Sequence, residues 1–277
     1  MNQLQNKPKF SLAIQSEGYK KLINNTLGDP KKAAKFIAAI SSAVATNYSL
    51  QQCDAGSILS GALLGEALNL SPSPQLGQYY LVPFKDKAQF QLGYKGYIQL
   101  AIRSGQYKDI DVIEVREGEY LGRDKCTGKH QFEFIEDEVE RENEPIIGYM
   151  AYFEYLNGFY KNLYWSKEKM QKHALEYSQA YASDVKKGTN YSFWSKDFNG
   201  MAYKTMLRQL ISKWGVMSID MQEAITKDMS VVKEDGTYDY VDNQSIASVP
   251  LEESVNTEVN NITEKAAEVK QVNINEL

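Results

Sequence analysis

Cysteine and histidine are scarce in this sequence, with two of each among 277 residues. Cys53 and Cys126 lie far apart without CxxC spacing, which argues against a disulfide framework; buried thiols in a reducing compartment are expected. His130 and His173 show neither HxxxH nor HExxH spacing, so they are expected to be ordinary satisfied side chains rather than zinc ligands. No apolar run approaches the ~18 residues of a membrane span. Met1 to Phe10 lacks the apolar stretch of a signal peptide, so a cytoplasmic location is expected. A nucleotide-hydrolysis loop is missing too. Gly122 and Gly128-Lys129-His130 enclose five residues where the P-loop has four, and a histidine stands where magnesium ligation needs Ser or Thr. There is no GxSxG nucleophile motif. Glu114, Glu117, Glu119 and Asp124 could be imagined as a metal-binding carboxylate set, but a strand end and a charged turn are ordinary places for solvated carboxylates. A nuclease or other DNA-modifying enzyme therefore stays as the rival reading.

What the sequence does have is apolar and aromatic material. Apolar residues make up 43%, with nineteen tyrosines and three tryptophans, enough for a substantial core and many amphipathic ring faces. The formal charge of -5 hides an asymmetry. From Asp228 to Leu277 there are eleven carboxylates against three lysines, a net of -8, which leaves +3 on residues 1–227. An acidic tail and a mildly basic body suit different tasks. Two parts follow from this: a core over 1–230 and an acidic flexible tail over 231–277.

The first 30 residues read as polar and irregular up to Gly28-Asp29-Pro30. Periodicity predicts helices over 31–46 and 54–70, the second ended by Ser71-Pro72-Ser73-Pro74. Their small-residue faces suit either a core or a neighbouring subunit. Strands are predicted over 78–84, 88–93, 110–115, 131–135, 147–155 and 159–165, the last two joined by an Asn157-Gly158 hairpin signal. A short helix over 96–104 interrupts them, and Ser166 caps another running to Tyr177. A Ser/Lys/Gly-rich loop over 178–190 precedes the strongest helix, 195–214, and a short one over 219–227. The fold class expected is α+β, with a strand-rich middle, N-terminal helices and a disordered acidic C-terminal tail.

Two segments combine cations with aromatics. In the first, Gly93-Tyr94-Lys95-Gly96-Tyr97 leads to Arg103 and Lys108; its glycines permit close backbone approach, and Lys95 sits at a helix start whose amides can meet a phosphate. The second, Phe193-Trp194-Ser195-Lys196-Asp197, continues through Lys204, Arg208, Lys213 and Trp214. Lys204 and Arg208, four apart, share one helix face. Cations at regular intervals beside aromatic faces suit sequence-independent, salt-sensitive binding of a nucleic-acid strand. Core tyrosines and a solvated charged face are the alternative for each segment.

Three blocks go further. They are Gly65-Glu66-Ala67-Leu68-Asn69-Leu70-Ser71-Pro72 with Gln78-Tyr79-Tyr80-Leu81-Val82-Pro83-Phe84; Gly93-Tyr94-Lys95-Gly96-Tyr97 with Arg103-Ser104-Gly105; and Phe193-Trp194-Ser195-Lys196-Asp197 through Met201-Ala202-Tyr203-Lys204-Thr205 to Arg208, Lys213 and Trp214. In order and spacing the chain resembles the RecT family of phage recombination proteins over about residues 10 to 225. That resemblance implies a curved antiparallel sheet with a long helix lining a DNA groove. It makes residues 1–230 the oligomerising core of an ATP-independent, non-enzymatic single-strand annealing protein that binds single-stranded DNA, holds an annealed duplex intermediate, and assembles into rings or helical filaments. It implies a partner exonuclease, and a host single-strand-binding protein is a further expected partner, with a phage- or prophage-encoded origin. No cofactor is required; magnesium is expected to assist binding or annealing. The DNA-contacting residues expected are Lys95, Tyr97, Arg103, Lys108, Trp194, Lys196, Lys204, Arg208 and Lys213.

Overall fold

A computed structural model describes residues 10–232 and 238–240, and local signals set most element ends within them. Helices α1 (Phe10–Ala13), α2 (Glu17–Leu27), α3 (Pro30–Ala45), α4 (Tyr48–Gln51) and α5 (Ala55–Ala67) come first. Hairpin β1 (Tyr79–Phe84) and β2 (Lys87–Leu92) leads to α6 (Tyr94–Arg103), β3 (Tyr107–Arg116), β4 (Tyr120–Arg123), β5 (His130–Phe132) and α7 (Glu138–Asn143). Hairpin β6 (Ile146–Tyr155) and β7 (Tyr160–Ser166) precedes α8 (Lys167–Tyr177), α9 (Gln179–Lys187), α10 (Phe193–Lys196), α11 (Phe198–Trp214) and α12 (Ile219–Lys227). Strands β8 (Ser230–Val232) and β9 (Tyr238–Tyr240) follow.

The α+β class with antiparallel pairing holds. The strands are distributed over a sheet ordered β1-β2-β8-β9, a second ordered β3-β6-β7, and the β4-β5 hairpin. Asp29 caps α3 through the Lys31 amide with Pro30 at its first position, and Ser166 caps α8 through the Lys169 amide. Asn157-Gly158 turns β6 into β7, with Gly158 at φ +83°. Alternation buries Tyr149, Ala151, Phe153 and Tyr155 along β6, where α11 packs. Helix α5 lies against β1, β2 and β8, apolar nearly all round and therefore core. A Cβ on Gly65 would stand 2.3 Å from the Tyr79 ring, so only glycine lets the helix seat this closely. Ala62 is fully buried there and offers no surface to a neighbouring subunit; the exposed small residues are those of α3, including Ala34 and Ala38.

Four expectations are corrected. The N-terminal stretch read as irregular contains α2, capped by Ser16 and buried through Ile23. The loop read over 178–190 is mostly α9, which its polar composition concealed. The long helix is broken at Asp197, whose non-helical backbone (φ -146°, ψ 76°) and side-chain bond from the Gly200 amide restart it as α11. Cys53 is buried as expected, but Cys126 is exposed. The first sheet also takes in β8 and β9. The acidic flexible tail expected over 231–277 otherwise lies outside the described residues. Among those residues no helix is long and apolar enough to cross a membrane.

Where the apolar pattern fades, the chain supplies a fully enclosed charge. Asp228 is fully buried and accepts from the Leu92 amide (2.8 Å), the Tyr97 hydroxyl (3.2 Å), the Lys204 ammonium (2.9 Å) and the Arg208 guanidinium (2.9 Å). One carboxylate thereby joins the end of β2, α6, α11 and the link from α12 to β8. Burial pulls the Lys204 ammonium below the usual lysine range, against the attraction of Asp228. Burial, reinforced by Asp228, pushes the Tyr97 hydroxyl well up. Removing one partner of a buried ion pair leaves an uncompensated charge. Asp228→Ala is expected to cost about 3–5 kcal/mol in urea unfolding. Lys204→Met is expected to cost less, because Arg208 still neutralises Asp228; equal losses would show that Asp228 is not the joint described.

Candidate nucleic-acid interface

The three sequence blocks meet at one surface, between the start of β1, the start of α6 and α10. Gly77 (φ +61°) lies beneath two side chains: the Tyr80 hydroxyl and the Lys95 stem stand 3.1 and 3.4 Å from where its Cβ would be. Gly93 and Gly96 allow the close approach expected of them, but to the chain itself. A Cβ on either would be 2.1 Å from a carbonyl oxygen, of Gly77 or Gln78 respectively. This seats α6 against β1 and sets exposed Lys95 beside a helix start with no side-chain cap. The Lys95 ammonium is 5.9 Å from the Tyr94 ring. Tyr80 faces Phe193 at 6.3 Å between rings, and its hydroxyl is pushed up by burial, by Asp197 and by Tyr94. Phe193 is 40% exposed and Lys196 is exposed.

A second buried carboxylate holds α10 in place. Asp184 on α9 accepts from the Thr189 hydroxyl (2.6 Å), the Ser192 amide (2.7 Å), the Ser195 hydroxyl (2.7 Å) and the Tyr191 amide (3.0 Å). These donors hold its carboxyl far below the usual range, the Thr189 hydroxyl most of all. Trp194 is buried against Phe198 (5.2 Å) and Tyr181, anchoring α10 so that Phe193 and Lys196 face outward.

The predicted contact residues thus divide. Lys95, Lys196 and Lys213 are exposed cations. Tyr97, Lys204 and Trp194 were expected in a groove but are buried, because Asp228 and the aromatic core claim them. Arg208 is partly exposed and bound to Asp228. Arg103 is exposed but donates to the Leu68 and Asn69 carbonyls at the end of α5, a C-terminal cap. Lys108 pairs with Glu154 at 2.7 Å. Tyr80 and Phe193 were not among the predicted contacts. Alternation in β1, with Tyr79 and Leu81 inward, is the signal that could have found Tyr80.

Three of the four carboxylates weighed for metal chemistry, Glu114, Glu119 and Asp124, are occupied by donors. Glu114 accepts from Tyr203 (2.5 Å), Asn199 and Arg116, and buried Glu119 pairs with Arg141 at 2.6 Å. Asp124 closes its own turn through the Cys126 and Thr127 amides, and Glu117 is exposed. His130 bonds the Tyr120 hydroxyl, while His173 lies between Trp165 and Tyr177.

These features define an α+β protein whose sequence blocks converge on a mixed cationic and aromatic surface. The model of the RecT family matches residues 34–241. An uncharacterized protein, YqaK, of Bacillus subtilis (strain 168) is 41% identical over 212 residues, 76% of this chain and 68% of its own length. Protein RecT of Escherichia coli (strain K12) is 30% identical over 193 residues, 65% of each chain. The chain belongs to the RecT family, which implies single-strand DNA binding and annealing in recombination.

Asp184→Ala is expected to speed hydrogen exchange at the Tyr191 and Ser192 amides, leaving exchange in β6 unchanged. The Asp184 carboxyl is more acidic folded than its ordinary ~3.9, so its stabilisation is complete above that pH and lost as pH falls below it. Asp184→Asn should therefore flatten the acid limb of a thermal-melting series.

Proposed function

We propose that this protein binds single-stranded DNA through the surface of Lys95, Tyr80, Phe193 and Lys196, and pairs it with a complementary strand without nucleotide hydrolysis or any covalent step. The observation that carries this reading is the convergence of three distant sequence blocks on exposed lysines and half-exposed rings. Ammonium groups neutralise a phosphate backbone irrespective of sequence, and each contact releases counterions, so affinity falls with salt. Aromatic faces add stacking that every base can supply. Selection between strands is left to base pairing, worth roughly 1–2 kcal/mol per step.

A few contacts per protomer are weak, and assembly into a ring or helical filament would multiply them through effective concentration. The exposed small-residue face of α3 suits such packing. A partner exonuclease would expose the strand, and a host single-strand-binding protein would be displaced from it or recruited. Magnesium would assist by screening phosphates. The nuclease alternative gains no support from Glu114, Glu119 and Asp124, which are engaged by neighbouring donors.

Two measurements test this. The purified chain should accelerate joining of complementary oligonucleotides, with strand lengths unchanged, when no nucleotide triphosphate is added; no acceleration refutes the proposal. In fluorescence anisotropy across a salt series, Lys95→Ala and Lys196→Ala should each weaken binding of all sequences and flatten the logarithmic salt slope by ~0.7. Arg208→Ala should instead lower the unfolding midpoint along with affinity.

A further inference from the structure

At the other end of α11 the chain gathers a second set of cations and rings. The Lys161 ammonium stands 4.7 Å from the centre of the Trp214 ring and that of Lys213 5.6 Å from the same ring. Lys169 lies 4.2 Å over Trp165, which shares the helix-packed face of β7 with Leu163 and Lys161, the last near the end of the strand. Helices α8 and α11 both pack on β6 and β7, so these side chains come from three adjoining elements. Lys169 and Lys213 are exposed, and Trp214 is 37% exposed. Lys169 is held below the usual lysine range by partial burial and then by Lys213. Among the described residues no carboxylate forms an ion pair with Lys161, Lys169 or Lys213.

Crowded ammonium groups repel one another, and cation–π contacts with two rings offset that only in part. Among the described residues no carboxylate neutralises the three ammonium groups. The open, spread placement fits a chain of phosphates better than one compact ion. Next to the lysines, Trp214 and the 46% exposed Phe159 give flat apolar faces for bases; the Tyr155 hydroxyl, bonded to the Trp214 carbonyl at 2.9 Å, and its ring, stacked on Phe159, tie the two together. The seventeen residues of α11 separate this cluster from Phe193 and Lys196 by about 25 Å.

We propose that Lys161, Lys169 and Lys213, with Trp214, form a second single-strand DNA contact on the same protomer, about one α11 length from the first. It rests on the proposed DNA-binding function and adds a separate site to it. The segment bound is either the continuation of the first strand or the incoming complement, which share the same chemistry.

Tryptophan fluorescence separates these cases, since Trp165 and Trp214 lie in the cluster whereas Trp194 is buried. Poly-dT long enough to span both sites should quench the full chain, and most of the quench should vanish in Trp214→Phe. If quenching appears only when poly-dA follows poly-dT, the cluster takes the complement. The Lys161→Ala/Lys169→Ala variant, its melting temperature unchanged, should lose about one unit of logarithmic salt slope. Anisotropy showing tight poly-dT binding sensitive to Lys95→Ala, together with quenching unaffected by Trp214→Phe and an unaltered slope in the double variant, overturns this inference and leaves the first site standing. Absence of any DNA binding would instead remove the underlying functional reading.

Discussion

A single carboxylate determines how the principal elements meet. Asp228 lies out of contact with water and faces two cations, a phenol and an amide. Such a group is costly to enclose and more costly to leave unmatched, so the arrangement that satisfies all four donors is strongly selected over others. The end of β2, the middle of α6 and the centre of α11 are thereby locked in mutual position. Everything exposed on those elements inherits that rigidity, including Lys95 at the start of α6.

Asp184 does the same work on a smaller scale. Its four donors come from the short polar link after α9 and, in Ser195, from α10 itself. Without a hydrophobic face to bury, a polar loop can be ordered only by hydrogen bonds to a fixed acceptor. The consequence is local: Phe193 and Lys196 project from a turn whose other residues are tied inward. Both buried carboxylates thus serve a surface that they do not touch.

Charge in this protein is separated by role. Buried ions hold the frame, while exposed and half-exposed lysines with no carboxylate partner among the described residues stand beside rings at both ends of α11. Whole-chain charge is acidic and conveys none of this, because field at a surface depends on which groups are local and unpaired rather than on the sum. A nearly neutral body can therefore present positive surfaces to a polyanion.

The sequence by itself determined what short-range physics decides. Asp29-Pro30 and Ser166 marked helix starts, Asn157-Gly158 marked the β6–β7 turn, and the span of α12 was read to the residue. Family membership was legible as well, in blocks whose spacing is a property of the chain alone. It did not reveal α2 or α9, whose composition is mostly polar: α2 buries Ile23 and α9 buries the carboxylate Asp184, so neither reads as a core helix. Nor could it say which way a cation points. Lys204 and Lys196 look alike in sequence, yet one is buried against Asp228 and the other is exposed. That difference arises from partners 24 residues or more away, and only the folded chain brings an acceptor close enough to hold an ammonium out of water.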